Sequence, residues 1–296
     1  MEERLHFRDS MGNTLCGLLA TPTATAKSIV ILCHGFSSHK NADTFTVLTD
    51  LLLKRGIATF RFDFYGHGES TGSMEDVTLT KAVLNLLAAH LLVKKKGFSK
   101  VGILGSSFGG AVAIIFSSML SDIKCLGLKS PVSDYKEQFS VKYGTKGLER
   151  WKEKGYVTLD SAAMGKRVRL DYSFCRDAMK YEWERMPVKI KKPVLIVHGS
   201  LDTQVPLHES MALFKRLKCR KKLEVVEGAG HGYTSKEHFE KMVGLLARFF
   251  ANNLRAIPTV RRLPAGSPAS LSSTLPARQR ARRGPSQGRS SPSSSS

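Results

Sequence analysis

Lys100-Val-Gly-Ile-Leu-Gly-Ser-Ser-Phe-Gly-Gly-Ala-Val-Ala-Ile-Ile-Phe116 joins a short apolar run to a longer apolar segment through a glycine-serine turn. The run Lys100–Leu104 has the length of a strand, and Phe108–Leu120 is long enough to be a buried helix. Small residues two before and two after Ser107 allow a sharp, strained reversal between them. Such a turn lifts Ser107 Oγ above the sheet and sets the next amide at a helix N-terminus. Ser107, not Ser106, has glycine at both of those positions. The turn lacks the GxxxxGK[ST] spacing and the lysine of a phosphate loop.

Outward from this turn, strand-like and helical patterns alternate. Before it come Ser28–Cys33 and Ile57–Phe64 as strands, with helical spacing over Thr44–Lys54 and Thr78–Lys94. His6–Phe7 and Thr14–Ala20 flank Asp9-Ser-Met-Gly-Asn13 and predict an opening hairpin. After it come Ile123–Leu128, Pro193–Val197 and Lys222–Glu227 as strands, with helices near His208–Leu217 and over Lys236–Asn253. The alternation predicts an α/β domain, a mostly parallel sheet wrapped by helices, over residues 1–254. Between about 133 and 187 the pattern loosens and aromatic residues mix with charges, which predicts a cap inserted over the sheet edge. Residues 255–296 hold Arg, Pro, Ser and Ala with almost no large apolar residues, so a disordered tail is expected there.

Composition narrows the partners. The formal net charge is +21, but eight of those charges are arginines after Leu254. The rest is mostly lysine, as in Lys94-Lys95-Lys96 and Lys215–Lys222, without aromatic interleaving or a recognition-helix pattern. That reads as a solvated basic face, with non-specific polyanion binding by the tail and no specific nucleic-acid site. The five cysteines are scattered, form no CxxC pair and have no ligand-like spacing to histidine, so reduced thiols are expected. Apolar runs are too short to span a bilayer, and Met1–Ser10 carries acids without an apolar h-region. A cytoplasmic protein is the expectation.

A serine hydroxyl is a poor nucleophile unless a base removes its proton. His231 stands in Glu227-Gly-Ala-Gly-His-Gly-Tyr233, past the last strand and before the closing helix, with glycine on both sides. Asp202 follows Pro193–Val197 in His198-Gly-Ser-Leu-Asp-Thr-Gln-Val-Pro206, where a carboxylate can accept from the histidine's second ring nitrogen. The same position also suits a turn aspartate at a helix start. Asp63 is the rival carboxylate, although it precedes the serine in the chain. His34-Gly35-Phe36 ends a buried strand; there the amides of Phe36 and Phe108 would form an oxyanion hole, and His34 a structural hydrogen bond.

Taken together, the HGF segment, Arg61-Phe-Asp-Phe-Tyr-Gly-His-Gly-Glu-Ser70, Gly105–Gly109, His198-Gly with Asp202 and Val205-Pro206, and Gly230-His231 resemble the α/β-hydrolase superfamily over roughly residues 5–254. Within it they look like the feruloyl/cinnamoyl esterase and serine aminopeptidase S33-like group. The resemblance implies an eight-stranded, mostly parallel sheet with an insertion after the sixth strand. It also implies ester hydrolysis through an acyl-serine, without metal or organic cofactor, on a small-molecule ester. The elbow departs from the common Gly-His-Ser-x-Gly, and Phe108 stands where Gln or Met is frequent. An S33-like peptidase or a lipase/thioesterase would use the same triad; a peptidase would need an acidic cap pocket, but Glu137, Glu149, Glu153 and Glu184 in that segment read as ordinary charged helix faces. A non-catalytic binding protein on the same fold is the third reading.

Overall fold

The computed structural model describes residues 1–161 and 166–254, and strands alternate with helices through both. Six strands precede the insertion: β1 (Glu2–Arg8), β2 (Thr14–Ala20), β3 (Ser28–Cys33), β4 (Ala58–Phe62), β5 (Lys100–Ser106) and β6 (Cys125–Lys129). The insertion contains β7 (Tyr156–Ser161) and β8 (Lys166–Asp171), and β9 (Val194–Gly199) and β10 (Lys221–Val226) follow it. Eight of them form one sheet in the order β1-β2-β4-β3-β5-β6-β9-β10. Pairing is antiparallel for β1–β2 and β2–β4 and parallel from β4 to β10. The expected α/β architecture is therefore present, with its insertion after the sixth strand. The opening turn forms because Asp9 Oδ1 accepts from the amides of Met11 and Asn13, both at 2.9 Å.

Strands covered on both faces must be apolar throughout, and every residue of β3 is buried. Its side chains alternate between two cores. Ile29, Ile31 and Cys33 pack with residues of α2 (Leu79–Lys95), α3 (Phe108–Met119) and α7 (Leu207–Arg216). Val30 and Leu32 pack with residues of α1 (Asp43–Leu53) and α8 (Lys236–Leu254). The α8 face is cut to fit one ring. A Cβ on Gly127 of β6 would lie 2.7 Å from Phe250 Cζ, so glycine is what lets that ring lie on the sheet.

The insertion carries α4 (Tyr135–Lys154), the β7–β8 hairpin, α5 (Tyr172–Ala178) and the short α6 (Met186–Lys189). Gly144, at φ 60° and ψ 179°, interrupts α4. Tyr135, Phe139, Trp151, Phe174 and Trp183 gather into one buried cluster, in which the Trp151 indole donates to Leu170 O at 3.2 Å. The hairpin is an addition to the sequence reading, although its signal was there. Val168 and Leu170 are buried while Arg167 and Arg169 are exposed, the period-two alternation of a strand. The expected disordered tail, 255–296, lies outside the described residues. No helix among the described residues is long and apolar enough to cross a membrane.

Phe250 is fully buried between α8 and the sheet. Phe250→Ala should lower unfolding free energy by about 3–5 kcal/mol, read from urea or guanidinium titration.

Candidate active site

Ser107 occupies the junction of β5 and α3 at φ 52° and ψ −115°, a conformation that costs a non-glycine residue about 1–3 kcal/mol. Its surroundings hold it there. The Ser107 amide donates to Lys129 O at 3.0 Å, and its carbonyl accepts from Gly110 N at 2.9 Å and Val132 N at 3.2 Å. The flanking glycines are required by contact between backbones. A Cβ on Gly105 would sit 2.4 Å from Gly109 O, and one on Gly109 would sit 2.3 Å from Cys33 O. The turn is thus pressed against the end of β3.

The segment leaving β3 runs beside the serine: a Cβ on Gly35 would be 3.5 Å from Ser107 Cβ. Buried His34 accepts from the Phe64 amide through Nε2 at 3.0 Å, so Nδ1 carries the proton and donates to Gly35 O at 2.7 Å. Burial holds its pKa well below the usual histidine value and keeps the ring neutral. His67 repeats the device, accepting from the Ser37 amide at 3.1 Å and donating to Tyr65 O at 3.0 Å. The rival Asp63 is taken up in the same brace. It accepts from the Lys40 amide at 2.7 Å and from Lys40 Nζ at 2.5 Å, and Lys40 also pairs with Glu69 at 2.8 Å. Between these anchors lies Phe36. The Phe108 amide, first of α3, has no intrahelical acceptor.

Past the far strands, His231 Nδ1 donates to Asp202 Oδ2 at 2.7 Å, which leaves Nε2 as the ring's lone pair. Asp202 is held from three more directions. Its Oδ1 accepts from the amides of Gln204 at 3.0 Å and Val205 at 2.9 Å, and its Oδ2 lies 3.3 Å from His198 Nε2. Burial alone would raise this carboxyl, but hydrogen bonds from His198 and His231 bring it far below the usual carboxylate range. The turn role and the pairing role expected of Asp202 are combined in one side chain, one oxygen for each.

Ser107, His231, Phe36 and Phe108 all line one cavity of about 1010 Å³. Its other walls come largely from the insertion, including Phe139, Leu159, Leu170 and Phe174. Of the four glutamates weighed for an acidic cap, Glu137 lines the cavity, whereas Glu184 pairs with Arg216 at 3.6 Å. Two buried charged residues of the lining were absent from the sequence reading. Lys129 is a buried lysine at the end of β6, and Glu209 is a buried acid in the first turn of α7. A charge closing an apolar strand was the available signal for Lys129. Glu209 had none, because an acid in a first helical turn is commonplace.

Chains with this sheet order and this strand–serine–helix turn are α/β hydrolases. This chain belongs to the alpha/beta hydrolase family, whose model matches residues 30–245. It is 26% identical over 192 residues to a mitochondrial palmitoyl-protein thioesterase, ABHD10, of Pongo abelii, a match covering 64% of this chain and 61% of that protein. The chain thus spans about three fifths of that relative. A putative esterase/lipase of Mycoplasma pneumoniae is 27% identical over 233 residues, covering 71% of this chain and 85% of that protein. Among solved structures, Est1E of Butyrivibrio proteoclasticus with ferulic acid bound is similar at a TM-score of 0.74. Its identity is 29%, over 84% of this chain and 98% of that one.

Glu209 accepts from the Ser133 amide at 2.9 Å, yet burial pushes its carboxyl up to about 7. An unfolded glutamate titrates near ~4.3, so between the two values the folded chain keeps a proton that the unfolded chain has lost. Stability therefore falls as pH rises across that window. Glu209→Gln should flatten the fall, as measured by thermal melts at a series of pH values.

Proposed function

We propose that this hydrolase cleaves carboxylic esters through an acyl-serine. Ser107 Oγ attacks the acyl carbonyl and passes its proton to His231 Nε2. Asp202 fixes the tautomer of His231 and stabilises the imidazolium that forms. The amides of Phe36 and Phe108 receive the oxyanion, and their dipoles are set in place by the braced loop and the helix start. His231 then returns the proton to the leaving alkoxide, and water attacks the acyl group by the same route. No step calls for a metal or an organic cofactor.

The observation that carries this reading is the 2.7 Å bond from His231 to Asp202, in a cavity that Ser107 also lines. The insertion acts as a cap, supplying the apolar and aromatic walls that would receive the acyl group. A thioester is the second substrate reading, supported by the palmitoyl-protein thioesterase relative and by a cavity roomy enough for an extended chain.

Ser107→Ala should abolish hydrolysis of p-nitrophenyl esters and labelling by a fluorophosphonate probe. Full activity in that variant would refute the reading. Asp202→Asn leaves the shape but favours the wrong tautomer, so kcat should fall on the order of 10⁴-fold. An acyl series run as both oxygen esters and thioesters then separates the two substrate readings.

A further inference from the structure

Lys129 touches the site in three ways that the reaction as written does not use. Its carbonyl accepts the Ser107 amide at 3.0 Å. Its Nζ donates to the His231 carbonyl at 3.0 Å and lies 4.8 Å from the centre of the Tyr233 ring. The side chain is 6% exposed and lines the same cavity as Ser107 and His231. A methionine would fill this place without desolvating a charge, so the ammonium has a cost that its interactions must offset.

We propose that Lys129 is a positioning residue for His231: its ammonium, bonded to the His231 carbonyl, ties down the loop that carries the ring. This rests on the reading of His231 as the base. Gly230 and Gly232 leave the His231 backbone soft, so an anchor on its carbonyl determines where the ring stands. Asp202 holds the ring through Nδ1, and Lys129 holds the backbone that carries it.

The ionisable groups facing Lys129 come from three elements. Asp202 stands in the loop beyond β9, His231 and Tyr233 stand in the loop after β10, and Glu209 of α7 lines the same cavity. Burial lowers the ammonium to about 8 while the Asp202 carboxylate acts the other way.

The test is kcat/KM for p-nitrophenyl butyrate from about pH 5 to about pH 10 in wild type, Lys129→Met and Lys129→Arg, with thermal melts as a control on folding. In Lys129→Met kcat should fall by about 10–100-fold as the ring loses its place, with KM nearly unchanged. The wild type should show an inflection near pH 8 that both variants lack, since arginine does not titrate there and methionine not at all. Lys129→Arg, which can still donate to the His231 carbonyl, should keep most of the wild-type kcat. Superimposable profiles for wild type and Lys129→Met would overturn the proposal. If the methionine variant does not fold, an inflection near pH 8 persisting in Lys129→Arg would overturn it alone. Ser107→Ala runs alongside. Turnover surviving there refutes the underlying site, whereas loss of turnover with unshifted Lys129 profiles refutes only the role of Lys129.

Discussion

Between Gly109 and the Cys33 carbonyl there is no room for a single carbon: a Cβ there would approach to 2.3 Å. This contact of backbone on backbone joins the turn after β5 to the end of β3, and much of the site follows from it. It allows the strained Ser107 to be held by its neighbours instead of relaxing, and it brings Gly35 alongside the serine. Two adjacent parallel strands thereby deliver a hydroxyl and two amide-bearing turns to one place. A side chain at Gly109 would push the helix off the strand and separate them.

The loop carrying Phe36 is fixed without leaving a charge unanswered. His34 and His67 each accept one backbone amide and donate to one carbonyl, a pattern open only to the neutral ring. Lys40 is fully buried, yet Asp63 and Glu69 share its ammonium. Buried polar groups are tolerated when every valence is met, and a network so satisfied is stiff. On the opposite side, Asp202 meets two amides, His198 and His231, which gives the His231 ring one orientation. Rigidity on both sides of Ser107 is what the proposed oxyanion stabilisation and proton transfer would require.

The insertion is built on other terms. Its core is aromatic, its main helix is broken at Gly144, and its hairpin turns Val168 and Leu170 inward while arginines face out. Apolar and aromatic walls discriminate by shape more than by hydrogen bonds. On the function we propose, the chemistry would belong to the sheet and the choice among acyl groups to the cap. The resemblance to an esterase with ferulic acid bound and to a palmitoyl-protein thioesterase spans two very different acyl shapes on one sheet plan.

Much of this was legible in the chain itself, because much of it is local. Strand and helix periodicity, the glycines around Ser107 and the turn before α7 all work over a few residues, and they predicted the α/β sheet, the elbow and the candidate His231 and Asp202. Contacts across the sheet left no such trace. β6 and β9 pair although the whole insertion separates them, and that adjacency brings Lys129 to His231, 102 residues away. Glu209 meets Ser133 across 76 residues for a similar reason. Strand order follows from the joint burial of many apolar side chains, and no single segment encodes it. The sequence by itself determined which residues could do chemistry; the tertiary structure decided which charges stand beside them.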